Sequence, residues 1–271
     1  MKNPIFTGAA VAIITPMNED GTVNYDEFAK FIDFQIENGT DAIVVCGTTG
    51  ESSTLKVVEH NECIRWCVEY VNHRVPVIAG TGSNSTACAI EISQEACKNG
   101  ADALLLVTPY YNKTNSRGLF KHFEAINNSV KTPIILYNVP GRTGMNVTPN
   151  DLLELSSLSN IVAIKEASGN ISQVAKIKAL LKDKIDIYSG NDDQIVPILS
   201  LGGKGVISVL ANVIPNKVHE IVKSYLEGNV SDSLNLQLEY LNLCNALFIE
   251  TNPIPVKVAL NMMGKNVGSL R

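Results

Sequence analysis

Eight continuous apolar, β-branched runs, each followed by a helix-like stretch, constrain this chain more than any other feature. They occupy residues 8–14 (GAAVAII), 41–47 (DAIVVCG), 75–80 (VPVIAG), 102–107 (DALLLV), 133–139 (PIILYNV), 161–167 (IVAIKEA), 185–190 (IDIYSG) and 205–210 (GVISVL). A strand with one wet face alternates polar and apolar residues, whereas a parallel strand covered on both faces is apolar throughout. Between the runs the period changes. Residues 25–38 place Phe28, Phe31, Ile32 and Ile36 on one stripe and stop before Gly39, a fitting helix terminator. Comparable patterns cover 56–71, 86–98, 118–129, 149–158, 171–182, 192–200 and 216–227.

Eight strand–helix units are the count of a (β/α)8 TIM barrel with right-handed crossovers. A doubly wound sheet also accommodates eight strands, so the count alone does not decide. The regular recurrence of strand starts, in keeping with βαβ units of about 30 residues, favours the barrel. A chain of 271 residues suits one such domain. The expected architecture is therefore α/β: residues 1–228 form a (β/α)8 catalytic barrel. Residues 229–271 form a small C-terminal helical region, with helices near 230–250 and 253–264.

Composition narrows the function. With 45% hydrophobic and 18% charged residues the chain is globular rather than disordered. Lys+Arg 22 against Asp+Glu 27 gives −5, and no basic block occurs, so neither nucleic acid nor anionic membrane is an expected partner. No apolar run reaches 18 residues, and the opening MKNPIFTG lacks a signal-peptide core, which implies a cytoplasmic protein. The six cysteines (Cys46, Cys63, Cys67, Cys88, Cys97, Cys244) form no C-x-x-C. Cys63 and Cys67 would suit a metal only if histidines converged on them, and His60, His73, His122 and His219 are scattered. The cysteines read as reduced, small apolar groups, with neither disulfide nor structural metal expected.

In a barrel of this kind the chemistry sits at the C-terminal ends of the strands. The unusual residues gather there: GTTGES at 47–52, TPYYNK at 108–113, YNVPGRTG at 137–144, and Lys165 inside IVAIKEA. An ammonium inside that apolar run costs several kcal/mol unless it is neutralised or functional. Burial pulls an amine from about 10.4 toward the ~7–8 that suits a nucleophile. Alternatively, Lys165 ends its strand with its head in water, paired with Glu166. Hydroxyls and an arginine at the same barrel end favour imine chemistry. Tyr137, one strand over, can shuttle protons, or it is a core aromatic with a satisfied hydroxyl. Thr48 and Thr49 offer hydroxyls and backbone N–H groups near a helix start to a carboxylate, or they lead into a helix capped by Ser53 or Thr54. Arg142, in a glycine-flanked loop, clamps a second carboxylate or is simply solvated.

Other motifs fail on context. Residues 80–85 (GTGSNS) end in Ser85 where a dinucleotide fingerprint needs glycine, and the required acidic residue is missing. Residues 202–205 (GGKG) lack the phosphate-loop spacing and precede a strand, while Asp192-Asp193 has no histidine beside it for a metal.

Taken together, GTTGES, TPYYNK, YNVPGRTG and IVAIKEASG resemble the dihydrodipicolinate synthase family of the pyruvate-dependent class I aldolases, and the likeness runs from about Gly8 to the C-terminus. The resemblance implies a lyase that condenses pyruvate with L-aspartate 4-semialdehyde to 4-hydroxy-tetrahydrodipicolinate, on the diaminopimelate route to lysine. It implies that Lys165 forms a Schiff base with the pyruvate ketone and that Tyr137 relays protons. Thr48 and Tyr111 complete the proton path, Tyr111 reaching in from a neighbouring subunit of a homodimer or homotetramer. Thr49 holds the pyruvate carboxylate, Arg142 the semialdehyde carboxylate, and Gly190 and Ile207 supply backbone contacts. No cofactor or metal is implied.

N-acetylneuraminate lyase and keto-sugar-acid aldolases share the lysine and tyrosine. The Thr-Thr pair and Arg142 separate this chain from those relatives, and a non-catalytic carboxylate-binding barrel requires an inert Lys165. Lysine-inhibited members carry histidine and glutamate where this chain has Val57 and Cys88, although Ser52, Asn84 and Tyr110 of that effector pocket are kept. Weak or absent feedback by L-lysine is therefore expected. Relatives also continue for a further helix or so beyond Arg271, which bears on assembly.

Overall fold

The computed structural model describes residues 3–271; Met1 and Lys2 of the opening segment lie outside them. The strands are β1 (Gly8–Ala12), β2 (Ala42–Val45), β3 (Val77–Gly80), β4 (Ala103–Val107), β5 (Ile134–Asn138), β6 (Ile161–Glu166), β7 (Asp186–Ser189) and β8 (Gly205–Ser208). All pair in parallel and in chain order, and β8 closes back onto β1. The expected TIM barrel is the fold. Each strand lies inside its apolar run and is shorter than it, because the outermost residues leave the ladder to enter loops.

The helices are α1 (Tyr25–Glu37), α2 (Val57–Val71), α3 (Thr86–Lys98), α4 (Ser116–Ser129), α5 (Pro140–Thr143), α6 (Pro149–Leu155) and α7 (Ile171–Leu181). After them come α8 (Ile195–Ser200), α9 (Pro215–Leu226), α10 (Val230–Glu239), α11 (Leu241–Ala246) and α12 (Ile254–Met262). Two stretches expected as single helices are divided. Residues 192–200 begin with a 3₁₀ turn, Asp192–Gln194, before α8, and 230–250 splits into α10 and α11. The helix α5 replaces the expected glycine-flanked loop around Arg142. Pro140 opens it with a preset φ, and Gly144 closes it in the left-handed region at φ 69°.

The two-residue period of the strands sorts their side chains into two cores. Outward residues such as Val11, Ile43, Leu104, Leu136 and Ile164 pack beneath the helices. Inward residues include Ala10, Ala12, Ala42, Ala103 and Ala163 with Val44, Leu105, Ile135 and Ile207. At the N-terminal end Phe6 stacks on Tyr188 at 4.3 Å, and the Tyr188 hydroxyl donates to the Phe6 carbonyl at 2.7 Å. That plug fills the interior from below, while the small Ala12 beside Val44 leaves space at the opposite end. The C-terminal helices pack on the barrel through polar ties as well as apolar contact. Gln237 on α10 accepts from the Val196 N–H at 2.7 Å and donates to the Asp193 carbonyl at 2.8 Å. Among the described residues no helix is long and apolar enough to cross a membrane.

Candidate active site

Strands β5 and β6 bring the two principal candidates together, because their register pairs Tyr137 with Lys165 and Asn138 with Glu166. Alternation then turns Tyr137 and Lys165 inward and their successors outward. Both inward side chains are buried, and Lys165 Nζ lies 4.4 Å from the centroid of the Tyr137 ring. The alternative pairing of Lys165 with Glu166 is absent. The Glu166 carboxylate instead accepts from Asn138 Nδ2 at 3.0 and 3.1 Å, the Ser168 N–H at 2.7 Å and Gln173 Nε2 at 3.2 Å.

Burial pulls the Lys165 ammonium down to about 8, against the opposing pull of the Asp192 carboxylate and with a smaller push from Arg142. Burial likewise raises the Tyr137 phenol, partly offset by Arg142 and the Thr48 hydroxyl. Asp192 was not a sequence candidate for this site, since a turn acid after a strand carries no mark of where it points. Its Oδ2 accepts from the N–H groups of Val209 and Leu210 at 3.0 and 2.9 Å, and its buried Oδ1 has no hydrogen-bond partner among the described residues. Gly190 joins the site through what it lacks. A Cβ there would stand 2.7 Å from the Ala167 Cβ and 3.1 Å from Lys165 Cε, so only glycine lets β7 end against the lysine stem. Its N–H donates to the Glu166 carbonyl at 2.8 Å.

A cavity of about 150 Å³ opens above these residues, and Thr48, Thr49, Arg142 and Asn252 also line it. The threonines do not stand at a helix start. Helix α2 begins at Val57 with Lys56 at its cap, so Ser53 and Thr54 are not caps and the threonines occupy the turns between β2 and α2. That segment is held from the C-terminal side. Glu51, at φ 58°, receives Lys257 Nζ of α12 at 2.7 Å and the Arg271 N–H at 2.9 Å. Thr49 is buried, and its Oγ1 accepts from Asn252 Nδ2 at 3.0 Å. The Arg142 guanidinium donates to the Asn252 carbonyl at 3.2 Å, one tie on a residue that is otherwise exposed. Asn252 escaped the sequence reading because it sits far from any strand end, in the segment between α11 and α12.

Two expected site residues stand apart. Ile207 is buried in the interior layer, but Val209 rather than Ile207 reaches the cavity wall. Tyr111 is 92% exposed with φ 69° and does not line the cavity of its own chain. A second cavity of about 360 Å³ is lined by Ser52, Tyr110, Val57 and Cys88 of the expected effector pocket, together with His60. Asn84 does not line it, and donates through Nδ2 to the Tyr110 carbonyl at 3.2 Å. His60 was not a candidate there; its buried Nδ1 has no hydrogen-bond partner among the described residues, and burial depresses its pKa. Thr48 and Arg142 line both cavities and form a shared wall.

A buried lysine beside a tyrosine ring does not by itself single out one family of enzymes. The model of the dihydrodipicolinate synthetase family matches residues 5–271. This chain belongs to that family. Among its relatives, a 4-hydroxy-tetrahydrodipicolinate synthase of Clostridium acetobutylicum is 61% identical over 267 residues, 98% of this chain and 91% of the relative. Of solved family structures, a dihydrodipicolinate synthase superposes with a TM-score of 0.94 at 50% identity, covering 98% of this chain and 92% of its own. A chloride-inhibited dihydrodipicolinate synthase of Acinetobacter baumannii, complexed with pyruvate, gives 0.96 at 43% identity, with 98% and 91% covered.

Proposed function

We propose that this lyase condenses pyruvate with L-aspartate 4-semialdehyde to 4-hydroxy-tetrahydrodipicolinate through a Schiff base on Lys165. The observation that carries the residue roles is the buried amine 4.4 Å from the Tyr137 ring, with hydroxyl and guanidinium donors lining the same cavity. The names of the relatives support the substrates.

The uncharged Lys165 amine attacks the ketone carbon of pyruvate, and loss of water leaves a protonated imine. That cation is an electron sink, so a proton leaves the adjacent methyl carbon and an enamine forms near neutral pH. The enamine carbon attacks the aldehyde of the second substrate. The amino group of the joined product then displaces Lys165 from the imine carbon, which closes the ring and frees the enzyme; one water is lost overall. Tyr137, held protonated by burial, delivers and recovers protons, with Thr48 as its neighbour in the relay. Thr49 donates to the pyruvate carboxylate, Arg142 clamps the semialdehyde carboxylate, and Gly190 supplies a backbone contact. Ile207 acts from the layer beneath rather than from the wall.

Tyr111 completes the relay from a neighbouring copy. Its near-complete exposure and left-handed backbone suit a side chain held out for another subunit, so the working unit is a homodimer or homotetramer. The cavity around Ser52 and Tyr110 is an effector pocket that has lost charged partners at Val57 and Cys88. Its affinity for L-lysine is reduced by about 1–3 kcal/mol on that account. The free cysteines, of which Cys46, Cys63, Cys67 and Cys244 are buried, suit a reducing, cytoplasmic setting. A coupled assay with pyruvate and aspartate semialdehyde, run beside Lys165→Ala, tests the whole. Activity lost in the variant supports the scheme, and activity retained overturns it.

A further inference from the structure

Asn252 belongs to no strand end and to no expected catalytic motif, yet its side chain meets the groups that bind the substrate. It is 5% exposed and lines the cavity that holds Lys165. Its Nδ2 donates to Thr49 Oγ1 at 3.0 Å, its backbone carbonyl accepts from Arg142 at 3.2 Å, and its Oδ1 is buried without a partner among the described residues.

A hydroxyl has one proton to give and lone pairs to receive. With an amide N–H on its lone pair, Thr49 keeps its own proton, and among the described residues no protein acceptor takes that proton. The opposite amide orientation would absorb the proton and turn a lone pair toward the cavity, which repels a carboxylate. We propose that Asn252 is a positioning residue: it fixes Thr49 as a hydrogen-bond donor to the keto-acid carboxylate, and through its carbonyl it steadies Arg142 for the second carboxylate. The C-terminal segment thereby takes part in recognition. This inference rests on the reading that Thr49 receives pyruvate.

Two variants separate the amide from the carbonyl. Asn252→Ala removes the side chain and keeps the carbonyl for Arg142, while the nearly isosteric Asn252→Asp replaces the donor with an acceptor. The expected result for Asn252→Ala is a KM for pyruvate raised roughly tenfold, the loss of one oriented hydrogen bond. Asn252→Asp should raise it further. In Asn252→Ala, the KM for aspartate semialdehyde and the melting temperature should hold close to wild type. On a Thr49→Val background, Asn252→Ala should add less than about twofold, because residues acting through one another are not additive. A full additional tenfold on that background, an unchanged KM for pyruvate, or equal rises in both KM values with a lowered melting temperature would overturn the proposal. Borohydride labelling with pyruvate, run on wild type alongside, tells the two levels apart. Unlabelled wild type overturns the underlying reading and the proposal with it; labelled wild type with unaltered variants overturns the proposal alone.

Discussion

The rate of imine formation should titrate with a midpoint near pH 8, set by the burial of Lys165. An ordinary lysine, at about 10.4, is uncharged in only ~0.04% of molecules at pH 7. At about 8, roughly a tenth of the amines are uncharged at that pH, a gain of about 200-fold in attacking nucleophile. Below the midpoint the rate should fall about tenfold per pH unit, and above it the rate should level off. The neighbouring phenol does not blur the window, since burial raises Tyr137 from its ordinary value of 10.0. The assay mixes enzyme with a fixed concentration of pyruvate from pH 6 to 9.5, quenches with borohydride at short times and quantifies labelled Lys165. Stability follows with a definite sign. The folded state releases its Lys165 proton near 8 and the unfolded chain holds it to about 10.5, so between those values the unfolded state binds more protons. This group therefore adds stability as pH rises through that window and contributes no slope below it, which urea midpoints can follow. A rate still climbing log-linearly up to pH 9.5 would show an amine of ordinary basicity and refute the reasoning; a flat rate from pH 6 would do so from the other side.

Gly190→Ala sets a methyl 2.7 Å from the Ala167 Cβ and 3.1 Å from Lys165 Cε. Overpacking of that kind costs about 1–3 kcal/mol, so labelling of Lys165 and kcat/KM for pyruvate should drop by about tenfold or more, and wild-type values would contradict the crowding. Tyr111→Phe should lower kcat by about a hundredfold while the melting temperature stays put, because the side chain is 92% exposed in its own chain. Sedimentation showing a fully active monomer at assay concentration would remove the cross-subunit role. L-lysine should leave the enzyme uninhibited through the sub-millimolar range, and half-inhibition there would show that Val57 and Cys88 do not weaken the pocket.

How much the sequence revealed depended on how local the physics was. Strand β6 was legible because an apolar run covered on both faces differs from every wet strand, and Lys165 was legible as the charge that violates it. Tyr137 followed from its place at the end of the adjacent run. The helix α5 around Arg142 was missed because two glycines outweighed Pro140, whose fixed φ begins the turn. Thr48 and Thr49 were set near a helix start because nothing local shows that residues 48–54 turn repeatedly before Val57. Asn252 and Asp192 were out of reach for a different reason. Their roles come from contacts with Thr49, Arg142, Val209 and Leu210 that only barrel closure creates. Tyr111 was legible as a residue type in TPYYNK, but its placement away from its own cavity is a property of the folded chain.

The central claim is that one buried amine captures a keto acid covalently. Incubation with pyruvate, reduction with borohydride and peptide mass analysis measure this directly. The expected result is a single adduct on Lys165 with the mass of reduced pyruvate, absent from Lys165→Ala. An unmodified Lys165, or an adduct on another lysine at equal yield, would contradict it.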